Sequence, residues 1–452
     1  MKSYDLVIIG SGPGGYVAAL YASRQNLSVS VVESDLVGGT CLNRGCIPTK
    51  AMLNSATLLS RIKESSQYGI DVSGYNINFQ KIISRKDEVV SRLKAGIETL
   101  FKAGHVDLIK GRARLTSPDT IGIGGADSIK AKSIIIATGS KVMGLPNIKC
   151  DEINILSSDG ILASKELPKT ILVIGGGVIG CEFATLFNAL GTKVVLVELL
   201  DRLLPAQSKE ASKKLEIIFK KRGIDVYLAT KAESISKNKA LRVKLSNGKD
   251  IDVEKVLVAV GRSPDTLDLG LEGLGVKTEG GRIVIDGACR TSISGIYAVG
   301  DCVGGPLLAH KASYEGILAC DNILGKPRSI DYSNVPNCIY TDPEIASVGL
   351  NEEAARQNYA DVRIGKFPYL ASGKAHLLGK TEGYIKIVGD SKGTILGIEI
   401  FGEGSCDLIG EATLAKTVGV NIKDLSHIVH GHPTLSEIFQ EAAQAFLGTK
   451  DT

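Results

Sequence analysis

The 452-residue chain has no block of like charges and no apolar run of membrane length. Its 53 Lys and Arg are nearly balanced by 49 Asp and Glu, so neither nucleic acid nor an anionic membrane surface is the expected partner. The longest apolar stretches, such as 171–181, are broken by glycine and stop at Glu182. That is short of the ~20 residues a membrane-crossing helix needs. The N-terminal residues Met1-Lys2-Ser3-Tyr4-Asp5 run straight into an apolar strand pattern, with neither an export signal nor an Arg-rich transit segment, and a cytoplasmic protein is expected. A disulfide framework is lacking too: nine cysteines, an odd number, are scattered over the whole length.

What stands in excess is glycine, with 52 residues, which points to tight turns. The 44% hydrophobic and 23% charged content is otherwise that of an ordinary globular protein. At a typical domain size of ~150 residues the length allows about three domains, and a small molecule is the expected ligand.

An internal repeat decides the architecture. Residues 4–9 read as a buried strand running into Gly10-Ser11-Gly12-Pro13-Gly14-Gly15, then a helix pattern, then a strand 29–32 that ends at Glu33. Residues 170–174 likewise run into Gly175-Gly176-Gly177-Val178-Ile179-Gly180, a helix pattern, and a strand 194–197 that ends at Glu198. In such βαβ units the first glycine (Gly10, Gly175) makes the tight turn and the second (Gly12, Gly177) admits a pyrophosphate at the helix N-terminus. The third (Gly15, Gly180) lets helix and strand approach, and the terminal acid accepts hydrogen bonds from ribose hydroxyls. Two βαβ units without a ligand are the alternative. After Glu198 come Leu199, Leu200 and Asp201, with only Arg202 nearby, which favours NAD over NADP at the second site.

Further strand-to-glycine junctions fall at 134–139, 256–262 and 296–301, each reading as a strand that ends at a cofactor edge. From about Asp331 the pattern changes to shorter, alternating strands (383–388, 394–401) and then a helical C-terminus, as in a separate α+β domain.

Cys41 and Cys46 lie within Gly39-Thr40-Cys41-Leu42-Asn43-Arg44-Gly45-Cys46-Ile47-Pro48-Thr49-Lys50. Three readings are open: a zinc site, a pair of inert buried thiols, or a redox-active disulfide. Zinc lacks further ligands at short spacing, because the next cysteine is Cys150. For a disulfide the backbone must leave helical form, since residues five apart in a helix have Cα atoms ~8.6 Å apart. A disulfide tolerates only about 6.8 Å. Gly45 permits the break, with the helix expected to resume from Ala51 to Leu59. Lys50 either lowers a thiolate pKa or is a surface lysine.

Half of the six histidines lie in His427-Ile428-Val429-His430-Gly431-His432-Pro433-Thr434-Leu435-Ser436-Glu437. His432 with Glu437, which begins a helix, is a candidate base and its orienting carboxylate. A structural histidine cluster is the other reading, and His427 and His430 are taken as structural.

Together these residues resemble the pyridine nucleotide-disulfide oxidoreductases across essentially the full chain. The resemblance implies FAD on the first repeat, NAD on the second and a homodimer formed by the C-terminal domain. The expected fold class is α/β: two Rossmann-like dinucleotide-binding domains plus a C-terminal α+β dimerisation domain. The expected segments are 1–145 for FAD, 146–265 for NAD, 266–330 returning to the FAD or central domain, and 331–452 for dimerisation. By motif position Glu33 would bind the FAD ribose, Lys50 would lie near the flavin paired with Glu182, and Asp301 would hold the ribityl chain. Gly39, Thr40, Gly111, Thr138, Gly139 and Ala309 fall at further FAD positions. Gly175, Gly177, Gly180, Glu198 and the Gly261-Arg262 turn would take NAD.

The implied reaction is the oxidation of protein-bound dihydrolipoyl groups to lipoyl by NAD⁺, through a Cys41–Cys46 redox disulfide. His432 of the partner subunit, oriented by Glu437, is the implied base. The implied partners are the lipoyl domains of 2-oxo-acid dehydrogenase complexes or the carrier protein of the glycine cleavage system. Another NAD(P)H-dependent disulfide reductase, such as a glutathione reductase, is the alternative, and the Arg-poor sequence after Glu198 speaks against it. A docking subunit with an idle redox site is opposed by the presence of Cys41, Cys46, His432 and Glu437 together. Arg44, Gly431 and Asp265 replace residues more usual in the family and are read as tuning.

Overall fold

The computed structural model describes residues 1–125, 127–237 and 240–448. The chain divides into two compact units, Met1–Leu167 with Gly261–Ile330, and Pro168–Val260 with residues from Asp331 onward.

The first unit is built on a sheet whose parallel strands are ordered Asp107–Lys110, Val29–Glu33, Lys2–Ile9 and Asp127–Ile136, with Ile296–Ala298 also paired to the last. Antiparallel strands Thr120–Ile123 and Ala113–Ser117 extend it. Leu6, Val7 and Ile8 are all buried, as expected for a parallel strand covered on both faces. Each such aliphatic side chain contributes about 1.5–3 kcal/mol relative to exposure. The helix Pro13–Arg24 starts with Pro at its first turn, where no hydrogen bond is lost, and buries Ala18, Ala19 and Ala22. It packs on the helix Ala309–Ile323 so closely that a Cβ on Gly316 would overlap the Gly14 carbonyl.

The second unit repeats the motif. Its parallel strands run in the order Asp225–Tyr227, Lys193–Val197, Thr170–Ile174, Lys255–Val258, with the helix Val178–Ala189 following the central one. Residues from 331 add an antiparallel sheet ordered Asn337–Ile339, Ile345–Gly349, Ile395–Phe401, Tyr384–Asp390, Val362–Pro368. The helices Ser405–Val418 and Glu437–Gly448 pack on it through Ile409, Ala412, Ile438, Phe439 and Phe446.

The sequence repeat has a steric cause. Gly10 has φ 100° and Gly175 φ 111°, and a Cβ at either would collide with the carbonyl of Ala137 or Ala259, the residue just past the end of the neighbouring strand. A Cβ on Gly15 would overlap the Gly10 carbonyl, and one on Gly180 that of Gly175. Among the described residues no helix is long and apolar enough to cross a membrane.

Candidate active site

Both glycine loops end in a helix whose N-cap, Gly12 or Gly177, supplies no side-chain cap. The first-turn N–H groups are therefore left for an anion. Where a Cβ would stand on Gly177 there is nothing within 4 Å, and on Gly12 only the Gly39 Cα at 4.0 Å. The Glu33 carboxylate accepts the Ser11 N–H at 2.8 Å, the Ser11 hydroxyl at 2.6 Å and the Asp35 N–H at 2.8 Å. Glu198 repeats this by accepting the Gly176 N–H at 2.5 Å and the Leu200 N–H at 2.7 Å. Each acid thus sits at the edge of an open glycine cradle, an arrangement that fits the ribose and pyrophosphate of a dinucleotide. Leu199 and Leu200 beyond Glu198 are exposed, and the Arg202 guanidinium donates to the Pro205 carbonyl at 2.9 Å.

Other first-unit residues gather around one polar chain. Arg262 donates to the Ser140 hydroxyl and to the Ser140 carbonyl, both at 2.8 Å, and to the Thr40 hydroxyl at 3.4 Å. The Ser140 hydroxyl in turn donates to Asp301 at 2.5 Å. Arg262, read from sequence with the nicotinamide site, thus joins Thr40 and Asp301, which were read with FAD. Ser140 was missed, although it directly follows Thr138-Gly139. Gly139 has φ 74° with open space where a Cβ would be, and its carbonyl accepts the Asp265 N–H at 3.0 Å. Gly111 has φ 153°, and its N–H bonds the Glu33 carbonyl at 3.0 Å. Ala309 opens the helix Ala309–Ile323.

Cys41 lies on the short helix Gly39–Arg44 and Cys46 opens the helix Cys46–Lys63. The break expected between them falls at Gly45, with φ −140° and ψ −115°. A Cβ on Gly45 would stand 3.0 Å from the Thr40 carbonyl oxygen. The helix expected to resume at Ala51 begins at Cys46 instead: the Thr49 N–H closes its first turn on the Gly45 carbonyl at 3.2 Å, and the Thr49 hydroxyl donates to the same oxygen at 2.7 Å. The Asn43 amide fixes the short helix by donating to the carbonyls of Val37 and Gly39 at 3.0 and 2.9 Å. Arg44, between the cysteines, forms an ion pair with Asp35.

The Cys41 thiol is pushed well up, first by its hydrogen bond with Cys46, then by burial and by the Cys46 charge, with the Lys50 ammonium pulling the other way. Cys41 therefore keeps its proton in the bond to Cys46. Glu182 is buried on the helix Val178–Ala189, where Oε1 accepts the Tyr340 N–H at 3.0 Å. Tyr340 was not visible as a partner from sequence.

The three C-terminal histidines differ. His427 Nδ1 lies 2.9 Å from the Lys423 carbonyl, and the mostly buried His430 has Nε2 2.7 Å from Glu411 Oε1. His432 is largely exposed, with Nδ1 2.8 Å from Glu437 Oε1. The other Glu437 oxygen accepts the Thr434 N–H at 2.7 Å, a second partner that sequence did not single out. The His432–Pro433 peptide bond is cis.

Residues 4–316 match the family described as pyridine nucleotide-disulphide oxidoreductase, and residues 335–443 match its dimerisation domain. The chain belongs to this family and is an FAD- and NAD-dependent oxidoreductase. It is 41% identical over 462 residues to a dihydrolipoyl dehydrogenase of Bacillus subtilis, covering 98% of each chain. It is 39% identical to the mitochondrial dihydrolipoyl dehydrogenase of Pisum sativum, covering 98% of this chain and 91% of that one. Among solved structures it is similar to LpdA from Mycobacterium tuberculosis, with TM-score 0.92, 27% identity and coverage of 98% and 99%.

Proposed function

We propose that the chain is the enzyme that oxidises dihydrolipoyl groups to lipoyl with NAD⁺ as acceptor, through Cys41 and Cys46. The observation that carries this reading is the hydrogen-bonded thiol pair at the Gly45 break, in a chain whose full-length relatives bear the name dihydrolipoyl dehydrogenase. In the oxidised enzyme the two sulfurs are joined. His432 Nε2, from the partner subunit of a homodimer, takes the proton of one substrate thiol. The resulting thiolate attacks Cys41, the Cys41–Cys46 bond breaks, and Cys46 leaves as a thiolate. The second substrate thiol then attacks the substrate sulfur bound to Cys41, the bond between that sulfur and Cys41 breaks, and Cys41 leaves with the second thiol's proton as the lipoyl disulfide closes. Two electrons have passed to the cysteine pair. FAD, when bound at Gly10, Gly12, Gly15, Glu33 and Asp301, supplies the relay from thiols to the nicotinamide of NAD.

The partners that fit are lipoyl domains of 2-oxo-acid dehydrogenase complexes or the glycine cleavage carrier protein, in the cytoplasm. The test is NADH formation by the purified yellow protein given dihydrolipoamide and NAD⁺, with NADP⁺ in parallel. Rapid NADH formation with little NADPH is expected. A protein that binds FAD yet reduces neither nucleotide overturns the substrate assignment and directs the search to glutathione and other disulfides.

A further inference from the structure

The strand Asn337–Ile339 and the helix Ser405–Val418 each carry a cysteine that the reaction above does not use. Cys338 Sγ lies 4.0 Å from the Cys406 carbonyl oxygen. Cys406 Sγ lies 3.7 Å from the carbonyl oxygen of Ile339, the neighbour of Cys338 in sequence, and 4.0 Å from that of Ile345. The two thiols hydrogen-bond each other, the relation in which Cys41 and Cys46 also stand. Both are half-buried rather than sealed in the core, unlike Cys181, Cys289, Cys302 and Cys320.

Their backbones are held in place. Cys338 is paired with Ala346 in the antiparallel sheet. The Cys406 N–H donates to Glu344 Oε2 at 3.0 Å, and the Ser405 hydroxyl beside it donates to the Gly402 carbonyl at 2.7 Å. The thiols therefore meet because two ordered elements bring them together.

We propose that Cys338 and Cys406 form a second redox dithiol, which hydrogen peroxide closes to a disulfide within one chain, independently of Cys41 and Cys46. The Cys338 thiolate attacks one peroxide oxygen and the O–O bond breaks. The leaving hydroxide takes a proton and departs as water, leaving Cys338 as a sulfenic acid. Cys406 then attacks the Cys338 sulfur, the S–O bond breaks, and hydroxide leaves as water with the Cys406 proton. Two thiols and one peroxide give one disulfide and two waters, with the electron pair passing from sulfur to oxygen. The bond ties the sheet edge to the helix two residues before Tyr340, whose N–H holds Glu182. This inference does not depend on the lipoyl reading.

The test uses the FAD-bound holoenzyme, reduced, freed of reductant, exposed to hydrogen peroxide, alkylated, and digested with trypsin without reductant. Cleavage after Arg328, Arg356, Lys392 and Lys416 places Cys338 on peptide 329–356 and Cys406 on 393–416. Cleavage after Arg24, Arg44 and Lys50 places Cys41 on 25–44 and Cys46 on 45–50, an internal control. A linked 329–356/393–416 pair is expected after peroxide, at a mass two hydrogens below the sum. It is expected to vanish in Cys338→Ser, to persist in Cys41→Ser, and to be replaced in Cys406→Ala by a sulfenic acid at Cys338 that dimedone traps. The proposal is overturned if the control pair forms while 329–356 and 393–416 stay separately alkylated. Loss of the pair in Cys41→Ser, or 329–356 linked only to a second copy of itself, overturns it equally.

Discussion

His432 Nδ1 lies 2.8 Å from Glu437 Oε1 while the rest of the ring is largely exposed. Glu437 is held below the usual carboxylate range by that bond first and by the Thr434 N–H second, so it stays ionised and only accepts. The neutral imidazole must then carry its proton on Nδ1, which leaves the Nε2 lone pair facing outward for a substrate thiol. Glu437 also begins the helix Glu437–Gly448, where the positive end of the helix dipole favours a negative charge.

Replacing the carboxylate tests this arrangement. Glu437→Gln removes the preference for a proton on Nδ1 without removing the ring. Dihydrolipoamide turnover is expected to fall about 10- to 100-fold, the loss typical when a carboxylate that orients a metal-bound histidine is removed. His432→Gln, which removes the base, is expected to lose about 10²- to 10⁴-fold. Steady-state kinetics with bound FAD measured in each variant separates these from misfolding. Turnover within twofold of the parent in Glu437→Gln would exclude a positioning role.

The dinucleotide loops were legible in the sequence because sterics dictate them: only glycine fits beside the carbonyls of Ala137 and Ala259, so the spacing from Gly10 to Gly15 recurs from Gly175 to Gly180. The break at Gly45 was legible for a similar reason, as a constraint on two cysteines five residues apart. Its far side was not, because the first helical turn closes through the Thr49 N–H on the Gly45 carbonyl, a backbone bond that apolar periodicity does not register. Contacts between distant residues of ordinary type left no trace at all. Tyr340 meets Glu182 across 158 positions through a backbone N–H, which no side-chain motif encodes. Arg262 reaches Ser140 because the short strands Arg262–Pro264 and Ser140–Val142 pair, and neither is long enough to show a period.

A buried ion pair supports the turn that carries Asp301. Lys311 and Glu315 have fully buried side chains 3.3 Å apart. Lys311 also donates to the Gly304 carbonyl at 2.8 Å, and Glu315 accepts the Gly300 N–H at 2.7 Å. Removing one partner strands a charge away from water at a cost of about 3–5 kcal/mol. Glu315→Leu and Lys311→Met are each expected to lower the unfolding midpoint and release FAD on gel filtration, while the double variant recovers part of the loss. Single variants as stable as the parent would show that the pair is dispensable.

Glu198 is the residue proposed to set nucleotide choice. Its carboxylate holds the Gly176 and Leu200 N–H groups, and Arg202, four residues on, donates to the Pro205 carbonyl. Glu198→Ala is expected to cut kcat/KM for NAD⁺ about 10- to 100-fold, the worth of one charge-assisted hydrogen bond. The value for NADP⁺ is expected to change little, so the ratio narrows. Parallel assays with both nucleotides measure it, and an undiminished preference for NAD⁺ would remove Glu198 from ribose recognition.

Acid stability of the second unit turns on Lys386. Its mostly buried ammonium lies 2.7 Å from Glu210 and 3.2 Å from Glu352. Burial alone would raise Glu210, but hydrogen bonds from Lys366 and Lys386 outweigh it and the net shift from 4.5 is downward. Glu352 is lowered against burial in the same way, by Lys386 and Arg356. For groups lowered in the folded state, the stabilisation is fully present above the unfolded value of about 4.5 and is lost as pH falls through the folded values. Lys386 is raised from 10.5, so its own contribution holds below that value and is lost only as pH rises through its folded pKa. Lys386→Met should therefore destabilise the protein by about 1–3 kcal/mol near pH 7, with the difference from the parent shrinking below pH ~4.5 as the carboxylates take up protons. Urea unfolding of both proteins between about pH 2 and pH 8 reads this directly, and a difference that stays constant down through the carboxylate range would mean that Lys386 acts through packing of its stem rather than through its charge.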